Sequence, residues 1–282
     1  MIMAAFEIGV IHSMTNEAGK NIFSAVADFG LRVCQLANWN PVLWTPAWAK
    51  RVKREAASAK VRVCALWAGW SGPKAWNFID GPRMLGLVPA RYRARRVAEL
   101  KKAADFAASI GAPAIITHCG FIPENPSDPQ YIRFVKAVED VAKYCQRCGV
   151  GFWFETGQET PVTLLRTIED VGLDNLGINF DTANLILYGK ANPLDALDVF
   201  GRYVRNLHVK DGFYPADGRN LGREAPVGEG KVDFPAILRR LKELKFSGEL
   251  IIEREISGPQ QAADIRTAVR KLEIWKRQVG CI

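Results

Sequence analysis

The chain has 282 residues, with 38 Lys and Arg against 30 Asp and Glu, for a formal net charge of +8. Hydrophobic residues make up 48% and charged residues 24%, a balance that excludes disorder, collagen-like repeats and a disulfide scaffold. No run of about 18 uncharged apolar residues reads as a spanning helix. The opening MIMAAFEIGVIHS lacks a basic leader and Glu7 interrupts its apolar run, so no signal peptide is expected. The expectation is a cytoplasmic protein with reduced cysteines.

Short β-type runs alternate with helix-period runs from end to end. FEIGVIHS (6–13) reads as a strand, with a helical segment around 21–30. Strand 31–39 and helix 45–60 follow, then strand 61–69 and an irregular stretch rich in Trp, Gly and Pro (70–90). A long helix runs to about Ile110, before strand 112–119, helix 129–148 and strand 150–156. Helix 161–172 leads to strand 175–181, and helix 193–203 to strand 204–211. After a Gly-rich stretch (212–230) come helix 233–245, strand 248–255 and helix 260–278. Eight strands rich in Val, Ile and Leu, each followed by a helix, predict a (β/α)8 TIM barrel. A doubly wound sheet is the alternative, but the first strand lacks the GxGxxG turn of a dinucleotide site. No linker or composition shift breaks the chain, so residues 1–282 read as one domain.

Cys145 and Cys148 form a CxxC with no second pair, and their place near a helix end predicts packing rather than a metal or redox site. The positive charge is spread over helix-like segments such as 90–102 and 271–278, as on a solvated outer face, with at most a modest pull on anions.

In a barrel, catalytic residues come from the C-terminal ends of several strands. The polar residues there are His12 on the first strand, His118 on the fourth and Glu155 on the fifth. Asp181 ends the sixth, His208 the seventh and Glu253 the eighth. One carboxylate ending an apolar strand could be structural, but four polar residues on four successive strands argue for a site. Three carboxylates and one imidazole suit a hard or borderline divalent cation, Mn2+ first, with Mg2+ or Co2+ as alternatives. Such a centre would also acidify a C–H beside a substrate carbonyl.

The runs FETGQETPVTLL (154–165), INFDTANLILYGK (178–190), VRNLHVKDG (204–212), APVGEGKVDFPAIL (225–238) and LIIEREISG (250–258) resemble the xylose isomerase-like TIM barrels. These are the sugar phosphate isomerase/epimerase proteins, which include ketose 3-epimerases. The resemblance spans the chain and is sharpest from about 150 to 258. It implies Glu155, Asp181, His208 and Glu253 as metal ligands, with Glu155 and Glu253 also the catalytic proton-transfer pair. The pattern departs from the 3-epimerases at three places. Asn184 stands where they carry a substrate-contacting His, and Glu159 comes closer to Glu155 than their second Glu. Tyr214 replaces a substrate-binding Arg, with Arg219 and Arg223 in the same loop. The family also resembles endonuclease IV, whose three zinc ions need more histidines than the three present here.

His12, His118, Asn184, Lys210, Trp67, Arg219 and Arg223 are the expected substrate-binding residues. Lys210 shares a strand face with His208 by alternation, within reach of a substrate oxygen, Asp181 or Glu155. Trp39, Trp44, Trp67, Trp70 and Trp76 fall after the second and third strands, where one or two are expected in the pocket. The stretch 212–230 reads as a lid or a plain connection, and Glu229 and Glu255 as groups behind the ligands. The expected function is metal-dependent isomerisation or epimerisation of a sugar through an enediolate, with a ketose epimerase favoured over an aldose–ketose isomerase or a lyase. The expected partner is a small-molecule sugar, with no nucleic acid and no membrane, and a homo-oligomer left open.

Overall fold

The computed structural model describes residues 6–14 and 20–281. Residues 1–5, part of the opening read above against a leader, lie outside the described residues. Eight parallel strands close a barrel: β1 (Glu7–Ser13), β2 (Val33–Asn38), β3 (Arg62–Ala68), β4 (Ala114–Thr117), β5 (Gly151–Glu155), β6 (Leu176–Asp181), β7 (Val204–Val209) and β10 (Glu249–Ile252). Closure is between the first and last of these, with Glu7 beside Glu249 and Val10 beside Ile252. The expected (β/α)8 architecture is therefore the observed one. Two further strands, β8 (Asp211–Phe213) and β9 (Arg223–Ala225), pair antiparallel above the mouth.

The outer helices are α1 (Ser24–Asp28), α2 (Pro46–Ala59), α4 (Ala90–Ile110), α5 (Pro129–Arg147), α6 (Pro161–Val171), α8 (Pro193–Phe200), α9 (Phe234–Glu243) and α10 (Pro259–Val279), with short α3 (Gly81–Met84) and α7 (Thr182–Leu187) in the mouth loops. Their starts follow one rule. Thr45, Asp128, Thr160, Asn192 and Asp233 each accept an N–H of the first turn, and a proline sits in that turn. Gly111, Gly172 and Gly280 end α4, α6 and α10 in the left-handed conformation. None of the described helices is long and apolar enough to cross a membrane.

Alternation sorts each strand into two faces. Phe152, Phe154, Ile178, Phe180, Leu207 and Leu250 point outward into the main core under the helices. The inward face carries Gln35, Trp153, Asn179 and His208 instead. The Trp153 indole fits inside because its neighbours are glycines: a Cβ at Gly151 or Gly177 would lie 2.7 Å from it. Register shifts at Cys34/Gln35 and Ile178/Asn179 locally re-aim β2 and β6. Inside the barrel, Gln35 then donates to Asn179 Oδ1 at 3.1 Å.

The Gly-rich stretch is an anchored ribbon rather than a free lid. The buried Asp211 carboxylate accepts from the N–H groups of Gly212 (2.8 Å), Gly228 (2.8 Å), Gly230 (2.9 Å) and Val232 (3.1 Å). The irregular stretch 70–90 is pinned by Arg96 of α4. Its buried guanidinium donates to the carbonyls of Met84 (2.6 Å) and Gly86 (2.7 Å) and lies 3.9 Å above the Trp70 ring. All six cysteines are free, with Cys145 buried in the α5 face and Cys148 half-buried beside Asp105.

Candidate metal centre

Glu155 is the last residue of β5 and Asp181 the last of β6. His208 lies opposite Asp181 in register on β7, and Glu253 directly follows β10. Each sits on the inward phase of its strand, so four backbones deliver four side chains to one point. One ligand atom from each falls within 4.8 Å of the others. His208 Nδ1 is 3.0 Å from Glu155 Oε1, 3.1 Å from Glu253 Oε2 and 3.5 Å from Asp181 Oδ2.

The imidazole is aimed from behind. His208 Nε2 lies 2.7 Å from Gln35 Oε1 and carries a proton toward it, which turns Nδ1 to the cluster, where a cation displacing the Nδ1 proton would find a lone pair. Asp181 Oδ1 caps α7 by accepting from Asn184 N at 2.7 Å, which turns Oδ2 toward the cluster. Trp67 Nε1 donates to Glu155 Oε2. Lys210 Nζ lies 2.6 Å from Glu255, 3.3 Å from Glu253 and 3.7 Å from Asp181.

Burial alone would push all three carboxyls up, and their neighbours decide the outcome. For Glu155 the imidazoles of His118 and His208 outweigh burial and hold it below the usual range. For Glu253, Lys210 and His208 outweigh it further and hold it well below. For Asp181 burial wins over Lys210 and pushes it up to about 7. Burial pulls His208 down, but Glu253 and Glu155 raise it well above the ordinary value.

The donor set fits a divalent cation on two observations. Asp181 Oδ2 and His208 Nδ1 are buried with no hydrogen-bond partner, and both are aimed at the same point. Three carboxylate oxygens and one imidazole nitrogen are also the donors that Mn2+, Mg2+ or Co2+ accept.

The cluster opens into a cavity of about 660 Å³ at the C-terminal mouth, lined by Trp67, His118, Asn184 and both glutamates among others. Trp39 and Trp76 also line it, whereas Trp70 is buried and Trp44 packs against the core. Asn184 is already engaged, accepting from Lys210 at 3.3 Å and donating to Thr156 O at 3.3 Å. Lys210 sits behind Glu253 and Asn184 rather than reaching Glu155.

Four expected substrate residues do not line the cavity: Lys210, buried behind the ligands, and His12, Arg219 and Arg223. His12 faces outward on β1, because its neighbour Ile11 takes the inward phase, and its ring meets the backbone of Ile22. Arg223 pairs with Phe213 in the ribbon and lays its guanidinium 4.8 Å from that ring. Arg219 is exposed in the tip beyond the ribbon, where its N–H closes a turn on Asp217. The sequence reading missed Gln35, Gln158, Tyr188 and Lys74. Gln35 carries a signal, since it is the one polar side chain in the middle of VCQLAN (33–38), but it lies away from the strand end where barrel ligands are expected.

The sequence model of the xylose isomerase-like TIM barrel family matches residues 23–275. A xylose isomerase domain protein from Planctomyces limnophilus superposes with a TM-score of 0.93 at 36% identity, covering 99% of this chain and 100% of that one. A D-tagatose 3-epimerase-like protein shares the fold with a TM-score of 0.72 at 20% identity, covering 96% of this chain and 100% of that one. An uncharacterized Methanocaldococcus jannaschii protein is 25% identical over 207 residues, 68% of this chain and 65% of that protein, just under two thirds of its length. A probable endonuclease 4 from Mycobacterium ulcerans is 24% identical over 213 residues, 72% of this chain and 78% of that protein. With the family match running over nearly the whole barrel, the chain belongs to the xylose isomerase-like TIM barrel family.

Proposed function

We propose that this protein is a metal-dependent sugar epimerase that moves a proton beside a carbonyl. The observation that carries the reading is the placement of Glu155 and Glu253. They come from β5 and β10, on either side of β6 and β7, and flank His208 Nδ1 at 3.0 and 3.1 Å. Glu155, Asp181, His208 and Glu253 would hold one divalent ion, Mn2+ first. When bound, it supplies polarisation of the substrate carbonyl and a counter-charge for the enediolate.

The chain's own groups do the rest. One glutamate removes the α-proton from one face of the substrate, and the other returns a proton to the opposite face, which inverts the centre. Positioned acid–base groups of this kind contribute roughly 10²–10⁴-fold. Trp67 and His118 hold Glu155 from the β3 and β4 side, and Lys210 holds Glu253. Tyr188 and Leu187, both buried, also line the cavity.

The D-tagatose 3-epimerase-like relative supports epimerisation as the reaction class. A nucleic-acid substrate is disfavoured, since Asn184 stands where the three-zinc nucleases need a histidine and the chain has three His in all. The whole chain, residues 1–282, is read as one cytoplasmic domain acting on a small sugar.

The test is half-reaction exchange on metal-loaded Glu155→Gln and Glu253→Gln. Each variant is expected to lose net turnover and to retain washout of the α-proton from one epimer only. Symmetric loss for both epimers, or label passing between C1 and C2 without inversion, contradicts the epimerase and favours the aldose–ketose isomerase. Elimination products would indicate the lyase.

A further inference from the structure

The polar side chains that line the cavity fall into two groups. Some are already engaged. Trp67 Nε1 donates to Glu155, Asn184 is shared between Lys210 and Thr156, and Glu255 takes Lys210 at 2.6 Å. Lys74 Nζ lies over the Trp39 ring, 4.6 Å from its centroid. The others are buried without a hydrogen-bond partner among the described residues: both amide atoms of Gln158, the Tyr188 hydroxyl and His118 Nδ1. Gln158 is 1% exposed and Tyr188 5% exposed, yet both line the cavity.

Their placement follows from the loops that carry them. Gln158 comes three residues after Glu155, between β5 and α6. The chain passes between His118 and Asn184 there because residue 157 is glycine: a Cβ would lie 3.3 Å from His118 Cε1 and 3.4 Å from Asn184 Cβ. Tyr188 ends α7, and its ring meets Phe78 and Phe121 edge-on at 6.1 and 5.8 Å. Burial pushes the Tyr188 hydroxyl up to about 12, with the neighbouring Gln158 amide pulling the other way, so the hydroxyl keeps its proton. The pair therefore offers three donor hydrogens, an amide carbonyl and a phenol oxygen, with no charge. Groups of this kind match neutral hydroxyls, each of which both donates and accepts. Left unpaired in a buried wall they cost free energy, so a ligand that lacks the matching hydroxyl is rejected.

We propose that Gln158 and Tyr188 form a hydroxyl-reading subsite that takes two neighbouring hydroxyls of the substrate chain beyond the reacting carbons, and so decides which sugars are accepted. The proposal rests on the proposed proton transfer at Glu155 and Glu253. The subsite lies on the β5 and α7 side of the candidate metal centre, so the substrate chain runs from the glutamates toward Tyr188. In a 2-ketose that reacts at C3, the two hydroxyls are those on C4 and C5.

The experiment is calorimetric binding to the Mn2+-loaded protein of D-fructose, D-psicose, D-tagatose and D-sorbose, each beside its 4-deoxy and 5-deoxy analogues. At least one of the four is expected to bind about tenfold tighter than both of its deoxy analogues, the loss of one hydrogen bond into a buried site. In Gln158→Leu and Tyr188→Phe that ratio is expected to fall toward one, because the parent sugar weakens and the deoxy sugar does not. Mn2+ affinity, read by chelator competition, is expected to stay unchanged in both variants. Should Gln158→Leu fail to fold, Tyr188→Phe removes only a hydroxyl and carries the test alone. Equal binding of parent and deoxy sugars by the native protein, a ratio preserved in the folded variants, equal weakening of parent and deoxy sugars, or no binding of any of the four overturns the proposal. Deuterium exchange into the same sugars separates the two claims. Discrimination between parent and deoxy sugars without exchange removes the epimerase reading and keeps the subsite; exchange without discrimination does the reverse.

Discussion

At the scale of single residues, the four candidate ligands depend on partners that hold them in one orientation. Gln35 is the clearest case, because it fixes which nitrogen of His208 faces the cluster and is itself held by Asn179. Gln35→Leu removes both contacts while keeping an apolar side chain of similar length. Loss of such an outer partner is expected to weaken Mn2+ binding about 10–100-fold with the far-ultraviolet circular dichroism unchanged. Competition with a chromogenic chelator measures it, and unchanged affinity would remove Gln35 from the site. The four candidate ligands stand out in the sequence because each places a carboxylate or an imidazole at or beside the end of an apolar strand. Gln35 does not, because it lies mid-strand, where a polar residue reads as structural. His12 shows the converse: a polar residue near a strand end is only useful on the inward phase, and in β1 Ile11 occupies it.

At the scale of elements, the segment after β10 has to present Glu253 and Glu255 to the mouth. Arg254 between them points the other way. Its Nε bonds Asp264 of α10 at 2.8 Å and its guanidinium bonds Glu224 of β9 at 3.0 Å, while Gln261 holds its carbonyl. Burial raises the Asp264 carboxyl, but Arg254 and Gln260 outweigh it and hold it below the usual carboxylate range. A depressed folded-state value gives stability that is present above the unfolded-state value, near 4, and lost as pH falls through the folded one. Asp264→Asn is therefore expected to cost about 1–2 kcal/mol in urea unfolding at neutral pH. The difference from the native chain should shrink steadily below pH of about 4. A difference independent of pH would place the effect in packing rather than charge. The barrel strands and outer helices were legible because Thr-Pro, Asp-Pro, Asn-Pro and Gly mark the helix ends. The β8–β9 ribbon was not, since strands of three residues show no alternation. Helix α7 was hidden because Asp181 is at once the last residue of β6 and the cap of the helix, with no spacer.

At the scale of the whole molecule, the centre joins strands from half of the barrel wall, β5 to β10. A cation bound there links four strands in the folded state and finds no comparable site in the unfolded chain. At a hundredfold excess over Kd this stabilises the barrel by about 2.7 kcal/mol. Chelation with EDTA is expected to lower Tm by roughly 5 °C or more, and Mn2+ to restore it. Differential scanning calorimetry reads the shift, and an unchanged Tm would mean that no ion is held by these strands.

The central claim is that Glu155, Asp181, His208 and Glu253 form a divalent-metal centre that moves a proton beside a sugar carbonyl. Solvent-deuterium incorporation into a panel of keto-sugars, followed by proton NMR on chelated and Mn2+-reloaded protein, tests it most directly. The account predicts exchange at one carbon beside the carbonyl, with inversion at that carbon, abolished by chelation and by His208→Ala and restored by Mn2+ in the native chain alone. Exchange at the full rate in the chelated protein, or no exchange by the reloaded protein with any keto-sugar, would contradict it.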